Sequence, residues 1–136
     1  MNALPASGEW VGYYTYPGKL PKCPMHLTLN FANGLIRGAG IDNPGQFVID
    51  GVYTSAGASW SKRYIGKHSV SYDGQFKDNE ILGTWTLTQM HEGKSSLLQG
   101  EFRIWPLPEG IYGEEEQLQS ILEREIRRKT QSFGKT

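Results

Sequence analysis

The chain has 136 residues, and its 14 Lys and Arg residues balance 14 Asp and Glu residues, so its formal net charge is zero. This length predicts one domain, and the balanced charge creates no field that would draw the protein onto nucleic acid or an anionic membrane surface. No apolar run approaches the ~18 residues of a membrane helix. We therefore expect one folded domain with neither a nucleic-acid nor a membrane partner.

The cysteine content and the first residues bear on the compartment. The single cysteine, Cys23, excludes an internal disulfide framework and is typical of a reducing compartment. The opening residues have neither the basic start nor the apolar segment of a signal peptide. We expect a cytoplasmic protein.

Up to Gly113 the chain consists of short runs rich in β-branched and aromatic residues, separated by turn-forming pairs such as Asn-Gly and Pro-Gly. The predicted strands are Glu9–Tyr16, Met25–Phe31, Leu35–Ile41, Phe47–Thr54, Ser59–Ile65, Ser69–Phe76, Ile81–Thr88 and Leu97–Trp105. All connections are short, whereas parallel strands need crossovers of about a dozen residues. The pattern therefore predicts an all-β fold, an eight-stranded antiparallel up-and-down barrel.

A weak repeat of the form apolar-x-Gly-x-aromatic runs through these strands. Its copies are Trp10-Gly12-Tyr14, Ile49-Gly51-Tyr53, Tyr72-Gly74-Phe76, Ile81-Gly83-Trp85 and Leu98-Gly100-Phe102. Side chains alternate across a strand, so the three named positions of each copy face the same side. Glycine weakens a strand unless strands coil tightly or cross closely. We predict that these glycines face the interior of a small barrel, beside aromatic side chains that fill the space.

The composition changes after Gly113, where acidic residues come first and basic residues last, the order that suits a helix dipole. Four apolar residues fall on one helical face. They are Leu118, Ile121, Leu122 and Ile126. We predict a barrel domain over residues 1–112, an amphipathic helix over 113–131 and a flexible tail over 132–136. The apolar face is expected to be buried on the barrel or across a homodimer.

Residues 8–105 resemble the avidin and lipocalin-like barrels. The resemblance is carried by an opening Gly-x-Trp (Gly8, Trp10), by the Gly-x-Tyr and Gly-x-Trp strands and by the late Thr-Trp-Thr-Leu strand, residues 84–87. The chain is also similar to small bacterial barrel proteins without a settled function that share a Trp-x-Gly-Tyr-Tyr start. The resemblance implies the barrel fold. Gly12 and the tyrosines that follow it do not match the biotin-binding positions of avidins, so biotin is not predicted.

In a meander, successive turns alternate between the two ends of the barrel. One end, here called the mouth, collects the loop Pro17–Pro24 and the turns Asp42–Gly45, Gly66–His68 and Gln89–Ser95. All three histidines and the cysteine therefore fall at or near the mouth, and the mouths of barrels commonly bind ligands.

Strand alternation also turns Lys62 inward with Trp60 and Tyr64, and an inward lysine needs a partner because an unpaired buried charge is costly. Asp42, Asp50 and Glu101 are the candidate partners. A cation, a carboxylate, a phenol and an imidazole can together orient a polar headgroup between aromatic walls. The predicted ligand-binding residues are Asp42, Trp60, Lys62, Tyr64, His68, Tyr72 and Trp85. The alternative is a structural ion pair in a filled barrel.

The chain lacks the motifs of common enzymes, with no complete phosphate-binding loop, nucleophile elbow or His-Glu-x-x-His. Cys23, His26, His68 and His91 include only one close ligand pair, whereas structural zinc sites favour two. We therefore predict no catalytic residues, cofactor or metal.

The sequence favours a non-enzymatic barrel that binds a small, partly apolar ligand at the mouth. The alternative is a packed barrel that serves as a homodimeric or protein-interaction module, using the C-terminal helix and the outer sheet face. A haem-binding barrel with a histidine ligand is the third hypothesis.

Overall fold

A computed structural model describes residues 5–18, 21–107 and 123–129, apart from the side chain of His91. Eight strands follow one another in a closed antiparallel barrel, in which β8 pairs with β1. Their bounds are β1 Gly8–Thr15, β2 Lys22–Ala32, β3 Leu35–Asp42, β4 Gly45–Tyr53, β5 Gly57–Tyr64, β6 Ser69–Lys77, β7 Glu80–His91 and β8 Lys94–Pro106. The predicted fold class and each of the eight predicted strands are confirmed.

The strands alternate buried and exposed residues because one face lines the barrel and the other faces outward. In β5, for example, Ala58, Trp60, Lys62 and Tyr64 are buried while the residues between them are exposed. Inward side chains from all eight strands form one apolar cluster. The barrel interior is therefore a packed core.

The repeat glycines stand where strands approach closely. A Cβ atom at Gly83 would overlap the backbone carbonyl of Asp73 and lie 2.6 Å from the Cα of Gly74. The same overlap with a carbonyl of the neighbouring strand occurs at Gly12, Gly51 and Gly100. The predicted close strand approach is therefore confirmed for this part of the repeat.

A helix, α1, whose described residues are 123–129, lies against the outside of the barrel. Ile126 packs on Val11 and Trp105, and the indole Nε1 of Trp105 donates a hydrogen bond of 3.0 Å to Glu125. Ile126 is therefore partly buried against the barrel. The other predicted apolar positions, Leu118, Ile121 and Leu122, lie outside the described residues, as do residues 113–120 and 130–136. None of the described helical residues forms a segment long and apolar enough to cross a membrane.

An ion-pair network ties α1 to the barrel at Glu80. The two oxygens of this carboxylate accept hydrogen bonds of 2.6 Å from Arg103 Nε and from Lys129 Nζ. Burial alone would raise the pKa of Glu80, but the hydrogen bonds and charges of Arg103 and Lys129 outweigh it and hold that pKa below its ordinary value of 4.5. Ionised Glu80 thus stabilises the docked helix.

The segment Gln89–Ser95, predicted as a turn, is mostly strand. The β7–β8 register continues to His91 and Lys94, around a two-residue turn in which Glu92 and Gly93 have φ of 51° and 78°. Both φ values suit a tight hairpin, whose right-handed twist matches the strands. Pairing of β7 with β6 ends at Thr86, so Leu87–His91 and Lys94–Leu98 form a two-stranded ribbon, here called the β7–β8 ribbon, at the mouth.

Candidate functional site

Lys62 occupies the inner face of β5 near the mouth and is only 1% exposed. Its Nζ donates hydrogen bonds of 2.7 Å to Asp42 Oδ2 and 2.7 Å to the hydroxyl of Tyr72. Asp42 ends β3, and its side chain is fully buried. Of the three candidate partners, Asp42 forms the ion pair with Lys62 because it projects inward at the same end of the barrel.

The two oxygens of the Asp42 carboxylate differ in their hydrogen bonds. Its Oδ2 also accepts a hydrogen bond of 2.7 Å from the Tyr64 hydroxyl. Its Oδ1 is buried, and within the part of the chain that the structure describes it has no hydrogen-bond partner. A buried acceptor without a donor costs about 1–3 kcal/mol. This oxygen is therefore the atom in the site with the strongest unmet demand for a donor.

Four aromatic rings surround the Lys62 ammonium. Its Nζ lies 4.7–5.1 Å from the ring centroids of Tyr14, Phe47, Tyr64 and Tyr72, within the range of cation–π attraction. The predicted site did not include Tyr14 or Phe47. Strand alternation carried the signal for both, since Tyr14 shares the inward face of β1 with Trp10, and Phe47 shares that of β4 with Ile49.

Burial changes the protonation of these groups in opposite directions. Desolvation lowers the pKa of Lys62, and the nearby carboxylate of Asp42 acts against this. Desolvation raises the pKa of the Tyr14, Tyr64 and Tyr72 hydroxyls, and the negative charge of Asp42 raises it further. The three phenols therefore stay neutral over the ordinary pH range, and two of them hydrogen-bond within the cluster as phenols.

A small pocket of about 50 Å³ lies at this end of the barrel. Its lining residues are Tyr14, Tyr16, Pro44, Lys62, Tyr64, His68, Val70, Tyr72 and Trp85. One water needs roughly 10–15 Å³ of such volume, so the pocket admits about three or four non-hydrogen atoms. Sites for drug-sized ligands measure roughly 300–1,000 Å³, and the pocket is far smaller.

The predicted site residues differ in how they contact the pocket. Lys62, Tyr64, His68, Tyr72 and Trp85 line the pocket, whereas Asp42 and Trp60 are not among its lining residues. Asp42 reaches it through its hydrogen bond to Lys62. Trp60 stacks on Tyr72 with the ring centroids 5.5 Å apart, and therefore supports the wall from inside the core.

The outer part of the pocket is aromatic. Tyr16, which is 40% exposed, meets Trp85 edge to face with the ring centroids 5.6 Å apart. His68 is exposed and contacts the Tyr64 ring at 5.1 Å. Tyr16 was missed although it ends the predicted strand Glu9–Tyr16, in which alternation places it on the same face as Trp10 and Tyr14.

A larger groove, of about 740 Å³, lies elsewhere, on the outer wall formed by β1, β6, β7 and β8. Its lining includes the outward side chains of Tyr13, Asp73, Glu101 and Arg103. The mouth is the better candidate despite its smaller volume, because Lys62 lines it among four aromatic rings, whereas the buried Arg103 of the groove pairs with Glu80, which holds α1. Perturbed groups held in this way are typical of functional sites.

Of the residues considered for a metal site, Cys23, His26 and His68 do not come together, and the side chain of His91 lies outside the described part of the structure. His26 lies 3.5 Å from Glu9, on the outer face, as its position opposite Met25 and Leu27 predicts. Cys23 is buried, and desolvation raises the pKa of its thiol. Within the described ranges, no three His, Cys, Asp or Glu side chains form a group that could hold a metal ion.

Comparisons with protein-family models, with curated proteins and with solved structures find no match to this chain. The resemblance to avidin and lipocalin-like barrels therefore stays a prediction that rests on the residues quoted for it.

Proposed function

We propose that this protein binds a small polar molecule, or the polar end of a partly apolar ligand, in the pocket at the mouth. The observation that carries the proposal is the buried Lys62, which lines the pocket together with Tyr72. Its partner Asp42 keeps one oxygen without a donor among the described residues but does not itself line the pocket. A ligand with a hydrogen-bond acceptor would therefore bind to Lys62 and to the Tyr72 hydroxyl, beside the Asp42 carboxylate.

Stability alone is a weak reason for this arrangement. Replacing a buried ion pair by packed apolar residues is often neutral or stabilising, because two charges must be taken out of water. Here the pair is almost fully buried, with side-chain exposures of 2% for Lys62 and 0% for Asp42. The barrel nevertheless keeps the pair beside a pocket, which supports a role in binding.

The pocket restricts the ligand by size and chemistry. Room for about three or four non-hydrogen atoms admits a small molecule or one headgroup. Lys62 and Tyr72 can hydrogen-bond to it from below, while Tyr16, Trp85 and Val70 offer apolar contact to a longer ligand. The packed interior restricts the bound part to the mouth, so we propose binding at the barrel end and not deep inside.

A thermal-shift screen with small polar molecules tests the proposal. We expect a ligand that raises the melting temperature of the wild type and loses this effect in His68→Ala and in Tyr16→Ala, two partly or largely exposed positions whose replacement leaves the core intact. Lys77→Ala, at the opposite end of the barrel, is the matched control and should respond like the wild type. Stabilisation at a hundredfold excess over Kd would amount to about 2.7 kcal/mol.

The screen also has a result that contradicts the proposal. Loss of the shift in Lys77→Ala, or its retention in both pocket variants, would place binding elsewhere.

The β7–β8 ribbon favours a second candidate function, a homodimeric module. Ribbon residues Leu87–Met90 include no charged residue and no proline, although both commonly protect an exposed strand edge from pairing. Met90 and Leu97 are 70% and 68% exposed. We propose a second copy of this chain as the partner, because two identical uncharged edges can pair in antiparallel fashion about a two-fold axis.

Sedimentation equilibrium tests whether the protein forms a homodimer through the β7–β8 ribbon. We expect a dimer that Leu97→Lys dissociates, while Val52→Lys, an exposed apolar position on the wall of the barrel, leaves it intact. A monomeric wild type, or equal dissociation by both variants, would contradict the ribbon interface.

A further inference from the structure

We propose that Lys62 captures the carbonyl group of a small aldehyde as a protonated imine. This inference rests on the proposed function, since it names the class of ligand that the pocket takes. It follows from three features of the site: a desolvated amine, a proton acceptor in contact with it, and a pocket of matching size.

The amine is placed as a nucleophile requires. A lysine side chain in water carries a proton at neutral pH and cannot attack a carbonyl carbon. Desolvation in an apolar pocket is one way by which proteins activate such a side chain. Lys62 is surrounded by four rings and is 1% exposed, and its burial favours the neutral amine, as the lowered pKa indicates.

Asp42 and Tyr72 provide the proton transfers. Asp42 Oδ2, 2.7 Å from Nζ, takes the proton of the ammonium, and the neutral amine attacks the carbonyl carbon. Asp42 returns this proton to the carbonyl oxygen, and a second proton passes from the nitrogen to the same oxygen through the hydroxyl of Tyr72, which accepts a hydrogen bond of 2.7 Å from Nζ and ends protonated. The C–O bond then breaks, water leaves, and a C=N bond remains. The sum is R–CHO + Lys–NH3⁺ → R–CH=NH⁺–Lys + H2O, with no oxidant or reductant.

The product preserves the electrostatics of the site. The iminium carries the same positive charge as the ammonium, so its pairing with the Asp42 carboxylate is maintained. Asp42 Oδ1, which has no hydrogen-bond partner among the described residues, can accept a bond from the hydroxyl of the intermediate carbinolamine. Asp42 thereby acquires a role for both of its oxygens.

The pocket selects the carbonyl compound by size. Its volume of about 50 Å³ matches an unbranched aldehyde of about four non-hydrogen atoms, such as glycolaldehyde. A ring-bearing aldehyde such as cyclohexanecarbaldehyde exceeds this volume. Size selection distinguishes capture in the pocket from the general reactivity of lysines at the surface.

Reductive trapping tests the inference on the full chain. The protein is incubated at neutral pH with glycolaldehyde and sodium cyanoborohydride, and modified lysines are located by peptide mass mapping. We expect Lys62 to be labelled faster than the exposed Lys67 and Lys77, because its lowered pKa leaves a larger neutral fraction of the amine at neutral pH. Cyclohexanecarbaldehyde should label the exposed lysines and spare Lys62.

Two variants complete the test. Asp42→Asn removes the carboxylate that opposes the lowering of the Lys62 pKa, so the labelling of Lys62 relative to that of Lys77 should extend to lower pH in this variant than in the wild type. Lys62→Arg keeps a cation in the site and should abolish the preferential label, while a folded far-ultraviolet spectrum shows that the barrel persists.

Labelling of Lys67 and Lys77 with Lys62 unmodified would overturn the inference. If a noncovalent ligand still stabilises the protein through His68 and Tyr16, the proposed binding function survives this result. If neither labelling nor stabilisation occurs, both fail.

Discussion

The buried Lys62–Asp42 pair makes a quantitative prediction about stability. At their separation of 2.7 Å, two unit charges attract by about 6 kcal/mol at an effective dielectric constant of about 20, and desolvation of both groups opposes most of this gain. In Asp42→Asn or Lys62→Met, the desolvation cost of the remaining charge persists without its partner. Each single variant should therefore lose roughly 3–5 kcal/mol of unfolding free energy.

The assay is a double-mutant cycle measured by urea denaturation at neutral pH. In the double variant neither charge remains, so its loss should be about 2–3 kcal/mol smaller than the sum of the single losses. Lys77→Met, an exposed lysine at the opposite end, should change the stability by no more than about 0.5 kcal/mol. Single losses below about 1 kcal/mol, or additive losses, would show that the pair is solvated and would refute the reasoning.

Three further predictions concern the wall and the helix. Gly83→Val should lower the unfolding free energy by roughly 1–3 kcal/mol, since its side chain meets the backbone of β6, and a neutral result in denaturation would contradict the close strand approach. Glu80→Gln should lower the unfolding free energy most at neutral pH. The pKa of Glu80 is lower in the folded state than its unfolded value of 4.5, so ionised Glu80 stabilises the fold above that pH. This stabilisation is lost as the pH falls through the folded-state pKa. A difference from the wild type that does not shrink in acid would refute this linkage. Ile126→Ala should cost about 1–2 kcal/mol, less than the roughly 2–5 kcal/mol of a fully buried isoleucine, and an unchanged denaturation midpoint would show that α1 adds no stability.

The barrel could be predicted from the sequence because its signals are local. Alternation with a period of two separates inward from outward residues, and short links leave antiparallel neighbours as the simplest connection. Strand alternation placed Trp60, Lys62 and Tyr64 on one face, and the alternation of turns placed Asp42 at the mouth, where Lys62 also lies. The outer part of the β7–β8 ribbon was missed because Gln89 and Met90 were assigned to the turn. The strands continue past them because Glu92 and Gly93 adopt positive φ and close a two-residue hairpin.

The arrangement of the site depends on distances across the barrel, which strand periodicity does not contain. Alternation showed that Lys62 points inward. The closure of the barrel and the stagger of its strands decided that its ion-pair partner is Asp42, and not Asp50 or Glu101. The same packing brought Phe47 onto the ammonium, filled the interior and reduced the open volume to about 50 Å³. The sequence thus determined which side chains enter the barrel and at which end. Only the tertiary structure decided which of them touch and how much space they leave, because both depend on packing between strands that are distant along the chain.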